Sequence, residues 1–180
     1  MSNLTDFFPS GGGGGLTPKF QEFISSGTFT PSQALIDAGG YIEVFLVGGG
    51  GVKADGGHGG EAIMKKMYLT SVSSVSVAIG SGGQTSDSDG SDSIFSGSSA
   101  GGSDLTALGG RSPGNTGIVF RQNGWSATTR GSADVGVFGY GAGSSSGGAE
   151  GGVNNAKVNT GQGSRNLPGG SGYCLIKWYE

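Results

Sequence analysis

Glycine occurs in this chain in blocks, and the blocks recur after short apolar runs with the composition of β-strands. The pattern is clearest in "YIEVFLVGGGGVKADGGHGGEAIMKKMYL" (41–69), where glycine separates two strand-like runs. The blocks span residues 48–60, 80–83, 97–102, 109–117, 139–152 and 161–172. Because glycine has no Cβ, it lets another backbone approach closely. This placement predicts that glycine packs the protein rather than linking its parts.

The glycine content is high enough to raise the question of order. Glycine supplies 42 of the 180 residues, and hydrophobic residues make up only 33%. Such a composition is typical of disordered chains, but here the apolar residues cluster into β-like runs. Extended glycine helices with three residues per turn, packed side by side, can satisfy one another's N–H and C=O groups. We therefore expect a mainly β fold, a small sheet or sandwich with polyglycine-II-like segments and long loops.

Two runs of similar strength are expected to pair in one sheet. Tyr41–Val47 is almost continuously apolar, as in a strand buried on both faces, and Gly172–Glu180 closes the chain. The single cysteine, Cys174, lies in this last run, which predicts a buried, inert thiol. Trp178 is expected at the core or its rim. Further strands are predicted within residues 26–32, 61–69, 71–80, 91–97, 117–130 and 133–141.

Residues 1–24 differ from the rest of the chain. They carry four phenylalanines around a five-glycine run (11–15): Phe7, Phe8, Phe20 and Phe23. Capping residue types predict a short helical turn near Asn3 and another beginning at Thr17-Pro18. Two interpretations stay open: the segment docks onto another protein, or its phenylalanines fold back onto this chain's own core. The first gives an attachment segment, 1–24, and a glycine-rich β domain, 25–180.

The order of these features resembles the glycine-rich domain of bacteriophage tail-fibre and adhesin proteins. The matching stretches, which cover about residues 25–180, are 26–32, 42–51, 56–63, 75–83, 91–97 and 169–180. The resemblance implies that loops between glycine helices form a distal tip that contacts the host receptor. It puts those loops within 84–92, 121–134 and 139–152. It also implies that the N-terminal segment attaches the domain to other tail or baseplate proteins.

Aromatic and guanidinium side chains near these loops are the candidate receptor contacts: Arg121, Trp125, Arg130 and Tyr140. Such groups are common binding anchors, and they also stack on sugar rings. An alternative for Trp125 is packing over the small sheet. The expected ligand is host surface polysaccharide or an outer-membrane protein. A homotrimer is expected because a small core gains burial between protomers, although a monomeric tip stays open.

Other chemistry is weakly represented. Asp87, Asp89 and Asp92 lie close together as in a calcium loop, but the glutamate that closes such a loop is missing, which favours a solvated turn. His58 is the only histidine and lies in a glycine block, so we expect a glycine-layer or surface residue rather than a catalytic one. A hydrolase would need two facing carboxylates, and those here fall mostly in turns. We expect no enzyme activity, cofactor or metal site.

The charge and hydropathy patterns narrow the partners. Net charge is −3 and no basic cluster is present, so nucleic acid is not expected as a ligand. No apolar run approaches 18 residues, and the N-terminus has no signal-like pattern, so neither membrane insertion nor signal-dependent secretion is expected. The sequence therefore predicts a phage virion protein made in the host cytoplasm, a tail fibre or fibre-tip adhesin. The alternative is a baseplate or tail decoration protein that makes no receptor contact.

Overall fold

The computed structural model describes residues 15–52, 57–85, 87–97, 104–110, 118–122, 125–128, 159–164 and 167–180. Within these ranges the chain is mainly β, as predicted. The elements in chain order are β1 (Pro18–Phe23), β2 (Gly27–Phe29), α1 (Gln33–Asp37), β3 (Tyr41–Val47), β4 (Ala62–Tyr68), β5 (Val75–Ala78), β6 (Ser93–Ser96), β7 (Leu105–Ala107), β8 (Ile118–Gln122), β9 (Trp125–Thr128) and β10 (Tyr173–Tyr179).

The described strands form two sheets. The large sheet has the order β1-β10-β3-β4-β8-β9, and the small sheet has the order β2-β5-β6-β7. Neighbouring strands are antiparallel except for β4 and β8, which run parallel. The predicted pairing of the two strong runs is confirmed, because β3 and β10 are neighbours with Val44 opposite Ile176.

The main core lies between the two sheets. Alternate residues of β3, Ile42, Val44 and Leu46, are all buried and face it. The small sheet contributes Val77 and Phe95. Each such side chain stabilises the fold by about 1.5–3 kcal/mol when fully buried. Trp178 packs at the rim of this core, and Cys174 is fully buried, as predicted; burial raises the pKa of its thiol to about 12.

A short helix that the sequence interpretation missed leads into β3. Ser32 caps α1 by accepting the N–H of Leu35 at 3.0 Å, and the Leu35 side chain is buried in the core. The chain then turns through Gly39 and Gly40, whose φ angles are 105° and 69°. A Cβ on Gly40 would lie 2.0 Å from the carbonyl oxygen of Leu69. Only glycine therefore fits this turn.

The start of the described chain corrects one prediction. Residues 18–23 do not continue a helical turn begun at Thr17-Pro18; they form β1 at the edge of the large sheet, with Phe23 opposite Cys174. Pairing with β10 along six residues satisfies the backbone and buries Phe23, which a single helical turn cannot do. The boundary expected after residue 24 therefore does not separate Phe20 and Phe23 from the sheets.

The described parts of four glycine blocks, together with residues 88–91, form a hydrogen-bonded bundle around one central segment, residues 48–52. The N–H groups of Gly48, Gly49, Gly50 and Gly51 donate to the carbonyl oxygens of Glu61, Ser91, Gly170 and His58 at 2.8–2.9 Å. The carbonyl oxygens of the same segment accept from other glycine-containing segments, for example Gly50 from Gly83 at 2.8 Å. The central segment is thereby bonded to six others: 57–61, 80–83, 88–91, 108–110, 161–164 and 169–172.

The six outer segments are also bonded to one another, which closes a ring. In order around the centre they are 57–61, 161–164, 169–172, 80–83, 88–91 and 108–110. Bonds that join ring neighbours include Gly60 N–H to Gly161 O and Gly90 N–H to Gly110 O, at 2.8 and 2.7 Å. For the described residues of the first block, 48–52 and 57–60, this six-around-one lattice confirms the prediction that the backbone amides pair with other glycine segments.

Close backbone approach explains why these positions are glycine. A Cβ on Gly50 would lie 1.9 Å from the carbonyl oxygen of Gln162, and one on Gly49 would lie 2.1 Å from that of Ser81. A Cβ on Gly110 would lie 2.0 Å from the carbonyl oxygen of His58. Real Cβ atoms do not approach backbone so closely, so any larger residue would push neighbouring segments apart.

Candidate functional site

The glycine bundle and the start of the described chain lie at opposite ends of the large sheet. β3 begins at Tyr41 and passes directly from Val47 into the bundle at Gly48, about 20 Å further along the strand. Thr17 lies at the Tyr41 end, because its N–H donates to Glu180 O at 2.7 Å and its C=O accepts from Glu180 N–H at 3.1 Å. Glu180 is at that end because Trp178 lies opposite Ile42. The domain therefore has two different ends, with residues 15–17 at one and the glycine segments at the other.

The end of the bundle that lies away from the sheets is called the far end, and it is defined by Val52, Gly57, Ser88, Gly110 and Ser164. Val52 N–H donates to Ser88 O at 2.9 Å, and Gly57 N–H donates to Ser164 O at 2.8 Å. Successive segments run alternately away from the sheets and back toward them. Among the described residues, Gln84, Thr85 and Asp87 connect two of these segments at this end, and all three are exposed.

One far-end connection, Gln84–Ser88, is held by its own side chains. The hydroxyl of Ser88 accepts the N–H of Thr85 at 3.0 Å and donates to the carbonyl oxygen of Thr85 at 2.6 Å. Gln84 Nε2 donates to Gly82 O at 2.6 Å. Asp87 has a φ of 63°, a conformation that aspartate tolerates better than most residues. The turn is therefore preformed and presents the exposed Asp87 and Thr85 at the far end.

Two of the predicted receptor-contact residues, Arg121 and Trp125, lie in strands of the large sheet rather than in a loop at the far end. Arg121 lies in β8 and Trp125 in β9, with Trp125 opposite Gln122 in the register of the sheet. β8 runs beside β4, with Arg121 opposite Ile63. The loop predicted for residues 121–134 is thus wrong over 121–122 and 125–128, where backbone pairing makes an edge hairpin. Arg130 and Tyr140 lie outside the described residues, as does the predicted loop 139–152.

The phenylalanines predicted to dock onto another protein divide into two groups. Phe20 projects from β1 and is 71% exposed, whereas Phe23 is 8% exposed and packs in the main core. That burial corrects the docking assignment of Phe23, because alternate residues of an edge strand face opposite sides of the sheet. Phe7 and Phe8 lie outside the described residues.

Two further residues considered for chemistry, His58 and Asp92, make hydrogen bonds within the glycine bundle. His58 is half-buried in the bundle, where its carbonyl oxygen accepts from Gly51, in agreement with the glycine-layer prediction. Asp92 Oδ1 accepts the N–H of Gly109 at 2.7 Å, which ties two ring segments together. Within the described ranges, no three His, Cys, Asp or Glu side chains lie together as a set of metal ligands. No helix among the described residues has the length and hydropathy to span a membrane.

A groove on the outer face of the large sheet was missed from the sequence. It has a volume of about 340 Å³ and is lined by side chains from three paired strands: Tyr41, Glu43, Lys66, Lys177 and Tyr179. Tyr41 lies opposite Tyr68 on one side of β3, and on the other side Lys177 lies opposite Glu43, two residues before Tyr179. The available signal was tyrosine and charged residues alternating with period two at the ends of three strands.

Comparison of the chain with known protein families finds no family that matches. The same search among curated proteins finds no similar sequence.

Proposed function

We propose that this chain is a bacteriophage virion protein, a tail fibre or fibre-tip adhesin that attaches the tail to the host surface. The observation that carries the proposal is the glycine bundle, in which one central segment is hydrogen-bonded to six others. Such a lattice supports short connections at one end on a rigid base that needs few large side chains. This is the architecture that the sequence resemblance implies for a receptor-binding tip.

The arrangement of the two ends of the domain supports the same proposal. A tip must be held at one end and must present its contact surface at the other. Residues 15–17 lie at the sheet end, and the preformed Gln84–Ser88 turn lies at the far end. The segment that precedes residue 15 would then lead to other tail proteins, and the far-end connections would meet the host.

The first test is location and adsorption. Antibody raised against the purified chain is applied to virions of the phage that encodes it and viewed by electron microscopy. Label at the ends of tail fibres is expected. The purified chain should also bind host cells and reduce phage adsorption. Label on the baseplate, together with no binding to cells, would favour the alternative of an assembly or decoration protein.

A matched pair of labelled variants tests which end makes contact. Cys174 is buried, so Thr85→Cys and Asp37→Cys each give one reactive thiol for a bulky polyethylene glycol maleimide. Thr85 lies at the far end and Asp37 precedes β3 at the opposite end. Label at Thr85 is expected to abolish cell binding, and label at Asp37 to leave it intact. Equal binding by both labelled proteins would contradict contact through the far end.

A further inference from the structure

The groove on the outer face of the large sheet combines rings and charges on a rigid base. Its lining residues are held by paired strands rather than by loops, so their positions are fixed before any ligand arrives. Tyr41 and Tyr179 are 54% and 55% exposed although both are large apolar side chains. The Tyr41 ring also packs against that of Tyr68, with centroids 4.0 Å apart. Exposed rings on a fixed backbone are typical of binding surfaces.

In the charged row of the groove, no carboxylate of the described residues lies within 4 Å of either lysine. Lys66 and Lys177 each lie opposite Glu43, on its two sides, so the lysines are about 10 Å apart at their backbones. Among the described residues the ion pair within 4 Å is Lys19 with Glu180, so neither groove lysine is paired with Glu43. Glu43, Lys66 and Lys177 together carry a net charge of +1, which favours an anionic ligand.

The aromatic row lies directly beside the charged row. Tyr41 and Glu43 are two residues apart on β3, as are Lys177 and Tyr179 on β10, which spaces the rows by about 7 Å. A pyranose ring can stack on a tyrosine face while its hydroxyls hydrogen-bond to a carboxylate. An anionic substituent on the same or the next sugar would reach a lysine.

We propose that this groove binds an acidic saccharide, a glycan whose sugars carry carboxylates. The two lysines select for the carboxylate, and the tyrosines supply the stacking surface for the ring. The groove lies at the sheet end of the domain and is separate from the far-end contact proposed above. Its ligand can be tested on the purified chain alone, so the proposal stands or fails independently of the virion role.

The experiment is a titration of the ¹⁵N-labelled full-length chain with hexagalacturonate, followed by amide chemical shifts. Shift changes are expected on β3, β4 and β10 around Glu43, and neutral maltohexaose should bind at least about fivefold more weakly. Binding should weaken as salt is raised to about 0.5 M, because screening acts on exposed charges. Equal binding of the two sugars, no binding, or shift changes confined to the bundle would each overturn the proposal.

Variants with matched controls assign the contacts. Lys66→Gln and Lys177→Gln should each weaken hexagalacturonate binding about fivefold, the upper range for an exposed ion pair. Lys19→Gln removes the same charge from the opposite face of the large sheet and should leave binding unchanged. Tyr179→Ala should weaken binding, whereas Leu167→Ala, which shortens an exposed apolar side chain next to the bundle segment 169–172, should not.

Two outcomes with these variants would contradict the proposal. If Lys19→Gln weakens binding as much as the groove variants do, the attraction is to net charge and not to the groove. If sedimentation shows that the chain self-associates and that Tyr179→Ala separates the copies, the groove is an interface between protomers.

Discussion

Replacing Gly50 by alanine tests whether the glycine lattice is packed as described. The new Cβ would lie 1.9 Å from Gln162 O and 2.3 Å from Gln162 C, both backbone atoms that cannot rotate away. Overpacking of this kind costs about 2 kcal/mol. Movement of segment 161–164 or of the central segment would weaken the bonds that Gly50 makes with Gly170 and Gly83, at about 1 kcal/mol each. Alanine also restricts the unfolded chain more than glycine does, and this offsets about 0.7 kcal/mol of the loss in stability.

The net expectation for Gly50→Ala is a loss of about 3 kcal/mol in the free energy of unfolding. For a chain of this size that lowers Tm by about 6–12 °C. Differential scanning calorimetry measures the shift. Gly15→Ala is the matched control, because no atom lies within 4 Å of a Cβ added there, and its Tm should be unchanged or slightly raised. A Tm for Gly50→Ala equal to that of Gly15→Ala would refute the close packing of the lattice.

Three further predictions concern single side chains. Ser93→Ala should lower the free energy of unfolding in urea by about 2 kcal/mol or more, because Ser93 Oγ donates to Val47 O and accepts from Gly80 N–H in a buried site. Replacing the exposed Ser76 by alanine should change that free energy by less than about 0.5 kcal/mol. Cys174 should resist thiol reagents at pH 8 when folded and react quickly in guanidinium, since its pKa is raised to about 12; rapid labelling of the native chain would contradict its burial. The hydrogen bond from Ser32 and the nearby Lys19 lower the pKa of Glu180. The stabilisation by this carboxylate is therefore present above its pKa in the unfolded chain and is lost as pH falls through its pKa in the folded chain, so the Tm difference between wild type and Glu180→Gln should shrink from pH 7 toward pH 3. A difference that grows in acid would be inconsistent with this sign.

Strands with strong patterns could be predicted from the sequence, and weakly patterned elements could not. Tyr41–Val47 is β-branched and apolar, and Val75 and Val77 alternate with polar residues, so their neighbours in the sheets were not needed to identify them. β7 has three residues, too few for any period. β1 reads "PKFQEF", and its pairing with β10 rather than its composition makes it a strand.

The site was harder to predict because it depends on register and on which glycine segments meet. The blocks predicted a glycine layer, but glycine segments are alike, so the sequence alone does not say that 48–52 is the centre. That follows from which strands the segments leave and enter. Likewise, Glu43 becomes the middle of a charged row because β4 and β10 pair on its two sides, which the three separate runs do not reveal.

The central claim is that the glycine segments are the packed interior of an ordered domain, and amide hydrogen exchange at Gly49, Gly50 and Gly51 tests it most directly. These N–H groups donate to Ser91, Gly170 and His58 inside a ring of other segments. We predict that they exchange only on global unfolding, with the same protection as the central amides of β3. Exchange at the rate of an unstructured glycine peptide would contradict the claim.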